Sequence, residues 1–366
     1  MQFVPCLDNQ IAKKLMMSPS VGGVVFNGNK AAARQLISQN PTQRVMNSGS
    51  GAASVYLAPT ADWHKAIRDV LHAVTRRSGQ SVLCPHVLFA HAEVYDNQAF
   101  INALKDAANS LRAQAGTREN ADLGPIGHLL SPADLQALRS QKNGWTWLVQ
   151  PMAAEMDSRI WSLGVCTGIA SAPQFAHRVA GLPLLGVVRV ESTDAAIQAQ
   201  QSVSAGRAAA IYSHDEAEIA HWSRYIDCSS LSINCCPQYR PGLQPCGTWA
   251  PALCGAAALQ GGPNYITALA QWQETGRPQR RGKQRNIPFS PWDSLSPKPT
   301  PDEAMRLTTA ADSISYWWEN EFGITRTLNP QPGQETTIQY KPAKLCLRVG
   351  KATSDIDLSI SLMAAL

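Results

Sequence analysis

Cys84 lies in RRSGQSVLCPHVLF (76–89), after a Gly-Gln pair that closes a helix-like segment and just before an apolar run that reads as a strand. A thiol at such a junction can attack a carbonyl as a nucleophile, or it can be one more buried cysteine. The chain has nine cysteines, at 6, 84, 166, 228, 235, 236, 246, 254 and 346, and none forms a C-x-x-C pair. Zinc sites usually need close ligand pairs, so no metal centre is expected. An odd count forbids complete internal pairing, and the expectation is a set of reduced, mostly buried thiols in a cytoplasmic protein.

Other residues invite chemistry more weakly. Gly49-Ser50-Gly51 has the look of a phosphate-cradling loop, but no Gly-x-Gly-x-x-Gly or Walker pattern accompanies it, and a plain turn is expected. His86, His91 and His128 sit at strand or loop positions and read as structural histidines rather than ligands or bases. Tyr316-Trp317-Trp318 on a helix reads as packing, with a partner contact through Trp317 or Trp318 as the alternative.

The formal charge of +5 is carried by one short run. RPQRRGKQR (277–285) holds Arg277, Arg280, Arg281, Lys283 and Arg285, and without it the charge is zero. Flanked by Pro and Gly, with no interleaved aromatic platform, it reads as a solvated linker and argues against nucleic acid. No run of about 18 apolar residues is present, which argues against a membrane span. The opening residues lack the basic, apolar, small-residue order of a signal peptide.

The elements that would position these groups alternate. VGGVVFNG (21–28) reads as a strand broken at Gly28, followed by helix-forming KAAARQLISQ (30–39). ASVYLAP (53–59) is strand-like. It leads into a helix over 60–79 that Thr60 can cap, with Trp63, Ile67, Leu71 and Val74 at helical spacing. HVLFAHAEVYD (86–96) reads as a strand, and Asp96 as the cap of the next helix. Ser131, Pro132 and an acid two residues later mark a helix start.

Further on, LLGVVRV (184–190), RAAAIYS (207–213) and SSLSINC (229–235) read as strands with helices between them. Ser213 and Glu216 stand at capping-box spacing. Such alternation favours a mostly parallel sheet flanked by helices. After residue 277 the composition turns Pro-, Ser- and Arg-rich. Next come a helix ending in YWWENEFG, a final strand in QYKPAKLCLRVG and a last helix in DIDLSISLMAAL.

Taken in order, several segments resemble the aldehyde dehydrogenase superfamily. VVFNG looks like its Phe-Thr-Gly-Ser turn, and MNSGSGAAS (46–54) like its Glu-Leu-Gly-Gly stretch. SGQSVLC stands where the family places its nucleophile, and DLGPIG, AGLPLLGVVRV and SINCCPQYRPGLQPCGTWAPALCG follow at matching intervals. GLQPCGTWAPALCGAAALQGGPNY (242–265), with SYWWENEFG, NPQPGQE and YKPAKLCLRV, is similar to the glutamate-semialdehyde (1-pyrroline-5-carboxylate) dehydrogenase module of proline utilization A and the segment after it. The resemblance runs from about residue 10 to 350, on order and spacing rather than on any intact motif.

Residue by residue, the resemblance implies a site that has lost its chemistry. The family follows Gly-Gln with one residue and then the cysteine, which places Val82 at the nucleophile and Cys84 two positions late. Two extended residues shift a side chain by roughly 6–7 Å, whereas attack needs reacting atoms within about 3–3.5 Å. Cys84 could serve only through a re-routed loop, for which Pro85 gives some licence. The family's general base falls on Asn47, whose amide accepts no proton at neutral pH.

Val179 and Gly181 stand where the family has the carboxylate that holds the nicotinamide ribose and a phenylalanine. Gly28 and Asn29 would be a vestigial cofactor turn. Gln244 and Gly247 would be a vestigial substrate loop, disturbed by Cys246 and Thr248. A complete member would carry roughly 200 residues ahead of this region, holding most of the dinucleotide-binding sheet.

The expectation is therefore an α/β, aldehyde-dehydrogenase-like fold: a partial Rossmann-type cofactor domain plus an α/β catalytic-type domain. The divisions are 1–47 as the cofactor remnant, 48–276 as the catalytic-like domain, 277–302 as linker and 303–366 as a C-terminal extension. The function implied is a catalytically inactive family member with a structural or partner-binding role. No cofactor is expected, and the partner is a second copy or another protein of the same family. One alternative is an active NAD-dependent glutamate-semialdehyde dehydrogenase using Cys84, with NAD as cofactor. The other is a basic scaffold holding an acidic partner through 277–285.

Overall fold

In the computed structural model, residues 5, 9–28, 30–47, 52–114, 121–139, 144–154, 157–237, 245, 247, 255, 262, 265–270, 273, 298–328, 332–342, 347 and 349–365 are described. The chain divides into two compact units, Met1–Ala270 and Gln271–Leu366.

The first unit begins with α1 (Asn9–Met16), followed by β1 (Val24–Phe26), α2 (Lys30–Gln39) and β2 (Val45–Asn47), a small lobe in which β1 and β2 pair in parallel and α2 packs on β2. The main sheet is built from β3 (Ala53–Leu57), β4 (Pro85–His91), β5 (Thr146–Val149), β8 (Gly164–Thr167), β9 (Leu184–Val190), β10 (Ala208–Tyr212) and β11 (Ser230–Ile233). Their order across the sheet is β11-β10-β3-β4-β9-β8-β5, parallel except for the edge strand β5. A short antiparallel pair, β6 (Ala153–Ala154) and β7 (Asp157–Trp161), lies outside it.

The helices of this unit are α3 (Trp63–Thr75), α4 (Ala92–Tyr95), α5 (Gln98–Asn109), α6 (Pro132–Arg139), α7 (Ala172–Arg178), α8 (Thr193–Ser204) and α9 (Glu216–Tyr225). Strand periodicity sorts the core into two layers. Leu88 and Ala90 of β4 point to the layer under α3 and α5, where Val55, Leu57, Leu185 and Val187 join them. Val87 and Phe89 point to the layer under α7, α8 and α9, with Tyr56, Leu184, Ile211 and the fully buried Trp222. Strands apolar on both faces are what a helix-covered parallel sheet requires. The expected α/β fold class is the one observed.

The second unit packs α10 (Pro301–Trp317) against α11 (Asp355–Ala365) through Leu307, Ile356 and Met363. No helix among the described residues is long and apolar enough to cross a membrane. No cluster of ligand-type side chains among them could hold a metal ion.

Several local expectations need correction. α3 is capped by Asp62, whose Oδ1 accepts from Lys65 N at 3.0 Å, and not by Thr60. Thr60 instead accepts from His214 N and pairs with Ser213, tying the end of β3 to the end of β10. α5 is capped by Asn97 rather than Asp96, whose carboxylate holds Arg189. α9 starts at Asp215, which accepts from both Ala217 N and Glu218 N, so the Ser213–Glu216 capping box does not form. In each case a side chain nearer the first turn reaches the orphan amides with less extension.

The strand expected over 86–96 stops at His91, where the ring accepts from Glu93 N and a short helix begins. The final strand expected in 339–350 is not seen among the described residues there. Pro342 supplies no ladder donor, and the short pair in this unit is β12 (Arg326–Thr327) with β13 (Thr337–Ile338). Ser131, by contrast, caps α6 as read, exchanging bonds with Asp134.

Candidate active site

The Gly-Gln segment forms a tight, conformationally unusual turn between α3 and β4. Arg77 and Ser78 both have left-handed backbone conformations, φ 58° and 52°, and Gly79 follows at φ 83°. Left-handed residues in succession are costly for L side chains and persist only where surroundings fix them. Here the surroundings do so. The Ser78 hydroxyl donates to the Gly124 carbonyl at 2.8 Å, and Gly124 N donates back at 3.1 Å. Gln80 Oε1 accepts from Gly127 N at 2.8 Å, while its Nε2 donates to the Arg77 carbonyl at 2.8 Å. Glycine is obligatory at 79, since a Cβ would stand 2.0 Å from the Leu182 carbonyl oxygen.

The chain then makes a β-turn in which Cys84 N donates to Ser81 O at 3.0 Å, and β4 begins at Pro85. Val82 projects outward, 51 % exposed, while Cys84 is 2 % exposed and packed in the core layer under α3 and α5. A cavity bordering Val82 measures about 40 Å³, close to the ~30 Å³ share of a single water. Pairing of β3 with β4 shifts register beside Ala53, opposite Pro85, a local irregularity that leaves the thiol inside.

The nearest basic nitrogen to Cys84 is His86 Nδ1, 3.8 Å from Sγ. His86 Nδ1 lies 3.1 Å from the Leu184 carbonyl, so that nitrogen carries the proton and offers the thiol no lone pair. Burial pushes the Cys84 thiol well up and the His86 imidazole down, the latter despite backbone hydrogen bonds to Leu184 and Gly79. An activated Cys–His pair needs both shifts in the opposite sense, thiolate beside imidazolium. His86 is instead a structural link between the turn and β9.

The remaining expected site residues are dispersed. Asn47, at the end of β2, is buried, and its Nδ2 donates to the Gly28 carbonyl at 3.4 Å. A Cβ on Gly28 would stand 2.5 Å from the Phe26 ring, so the turn is closed by its own aromatic neighbour. Val179 is fully buried at the end of α7, and Gly181 turns with φ 83°. Gly247 accepts from the Ser229 hydroxyl at 2.8 Å. Asn29, Gln244, Cys246 and Thr248, together with Gly49-Ser50-Gly51, lie outside the described residues.

Sequence reasoning did not single out Ser78, Gly124 or Leu182, which fix the turn. Their contacts join residues far apart in the chain, and only the need for glycine at 79 left a signal.

A helix-covered, mostly parallel sheet with a glycine-dependent turn at the head of a central strand is an α/β architecture of the aldehyde-dehydrogenase type. The chain belongs to the aldehyde dehydrogenase family, whose family model matches residues 1–273. It is 22 % identical over 229 residues to "Aspartate-semialdehyde dehydrogenase (Non-phosphorylating)" of Halomonas elongata, covering 62 % of this chain and 46 % of that protein. Among solved structures it is similar in fold to proline utilization A from Corynebacterium freiburgense, with TM-score 0.79 and 22 % identity, over 97 % of this chain and 35 % of that one. A second similar fold is a point mutant of Thermus thermophilus 1-pyrroline-5-carboxylate dehydrogenase, with TM-score 0.62 and 20 % identity, over 73 % of this chain and 53 % of that one. The chain spans about half the length of the curated relatives it matches.

Proposed function

We propose that this chain is a catalytically inactive member of the family, retained for a structural role in which its surfaces bind a second copy or another protein of the same family. The observation that carries the reading is the pair Val82 and Cys84: the exposed side chain at the family's nucleophile position is a valine, and the nearby thiol is 2 % exposed. A valine forms no thiohemiacetal, and a thiol kept neutral by burial is not a nucleophile.

Other positions support the same reading. Asn47 stands where the base would be and is hydrogen-bonded to Gly28. The side chain of the buried Val179 offers no acceptor to ribose hydroxyls, and among the described residues β1 and β2 form a two-stranded sheet with Val25 50 % exposed. These residues do not fit a nicotinamide dinucleotide as the family holds it, and no step is derived through one. The five described cysteines, Cys84, Cys166, Cys228, Cys235 and Cys236, carry no disulfide, which suits a reducing cytoplasm.

The test is NAD titration by calorimetry near millimolar cofactor, with glutamate-semialdehyde turnover read on the same sample. No heat and no turnover are expected. Turnover abolished by Cys84→Ala would overturn the reading and establish the alternative, an active NAD-dependent dehydrogenase with a rearranged loop.

A further inference from the structure

Helix α3 carries a row of basic side chains at a repeat of four: His64, Arg68, His72 and, just past its end, Arg76. Residues four apart lie on one face of a helix, and all four are exposed. Beside this row runs an open groove of about 410 Å³ between α3 and α5. Its floor is apolar, made by Ile67 and Leu71 from α3 and by Ala103, Ala107 and Leu111 from α5 and its end. His72 also borders the smaller cavity with Arg76 and Arg77, so the basic row continues to the turn that presents Val82.

Together with the adjoining small cavity, which adds Arg76 and Arg77 to Arg68, the groove is lined by more cations than acids. Its only acid among the described lining residues is Asp122, whose Oδ2 already accepts from Arg112 N at 2.9 Å. Asp69, the carboxylate nearest Arg68, is held by Lys65 at 2.6 Å and by the Tyr212 hydroxyl at 3.0 Å. Arg68 stands 3.7 Å from it and stays 74 % exposed. An apolar floor with a cationic rim asks for an occupant that is apolar on one side and anionic on the other.

The walls also select its conformation. Both are helices, whose backbone groups are internally satisfied, so an extended peptide would find no ladder to join. A helix brings its own hydrogen bonds and needs only side-chain complementarity. The small side chains Ala103 and Ala107, one turn apart, leave room for apolar anchors. Helix α3, at 13 residues, offers a seat about 20 Å long.

We infer that the α3–α5 groove is a docking site for an acidic amphipathic helix of a partner protein, its apolar face on Ile67, Leu71, Ala103 and Ala107 and its carboxylates on Arg68, Arg76 and the two histidines. The inference rests on the partner-binding reading above and specifies its surface.

The test uses two fluorescein-labelled amphipathic peptides of about 14 residues, a length matched to the groove. They are identical on the leucine face and carry either glutamate or lysine on the polar face. Fluorescence anisotropy with the full chain is expected to show binding of the glutamate peptide alone, weakened as salt is raised. Arg68→Glu with Arg76→Glu should weaken it about tenfold. Ala107→Phe, which fills the floor without touching a charge, should weaken it as well, with thermal melts confirming that each variant is folded. Binding of neither peptide, equal binding of both, or binding indifferent to these variants would overturn the inference. NAD turnover by the same sample bears on the inactive reading alone, so the two failures are told apart.

Discussion

Ser78 and Gly124 exchange hydrogen bonds in both directions, hydroxyl to carbonyl at 2.8 Å and amide to hydroxyl at 3.1 Å. One side chain thereby occupies both backbone groups of a loop residue distant in sequence, and holds its own backbone left-handed while doing so. The turn ahead of β4 is a built feature, maintained although the residue it presents is a valine.

Ser78→Ala should remove this exchange and leave a partly buried amide and carbonyl without their partner. The expected loss is about 1–3 kcal/mol of unfolding free energy, measured by urea titration. An unchanged midpoint would mean that the turn is fixed by Gly79 and Gln80 without it.

Gly79→Ala tests the close approach to Leu182. The Cβ would stand 2.0 Å from a carbonyl oxygen, at a φ that L residues adopt poorly. A loss of about 2–4 kcal/mol is expected, with β4 or the 181–184 segment displaced. A fully stable variant would show that the two segments can separate at little expense.

Thiol accessibility separates the two cysteine positions. In the native chain Cys84 should resist iodoacetamide, while Val82→Cys should label promptly at residue 82, both read by peptide mass spectrometry. Native labelling of Cys84 as fast as that of the new thiol would sink the inactive reading.

Stability should fall on both sides of neutrality. His86 has its folded pKa depressed by burial, so its contribution is present above the ordinary value of 6.5 and is lost as pH falls below it. The acid limb should therefore include a slope from this residue of at most about 1.4 kcal/mol per pH unit, absent in His86→Gln. Cys84, Cys166 and Cys236 have raised folded values, so their contribution is present below the ordinary 9.0 and is lost as pH rises beyond it. Chemical denaturation at pH 5 to 10 checks both limbs; a flat acid limb in the wild type would contradict the assignment to His86.

The parallel core was legible because its strands are short, apolar runs punctuated by glycines and caps. LLGVVRV forms a strand with the bounds read from the sequence. The edge region was not: TWLV and GVCT, the strands β5 and β8, are four residues each with little periodic signal. Thr300 was hidden inside a segment whose proline content suggested linker throughout, yet Thr300-Pro301-Asp302-Glu303 forms a complete capping box for α10. At the site, the displacement of Cys84 relative to Gly-Gln could be counted. The left-handed pair Arg77-Ser78 could not, because neither residue type announces that conformation and the contacts enforcing it lie far along the chain.

The Leu182 carbonyl that seals the turn at Gly79 belongs to a segment reached only after α5, α6 and the strand pair of β6 with β7. Strand β4 likewise meets one of its neighbours, β9, only at that point in the chain. The complete turn is therefore a non-local feature: its last contact forms only when a distant segment joins the sheet and loop-closure entropy has been overcome. During synthesis the contacts of Ser78 and Gln80 with residues 124 and 127 come within reach first, and the seal by Leu182 only when the 182–184 segment has been made.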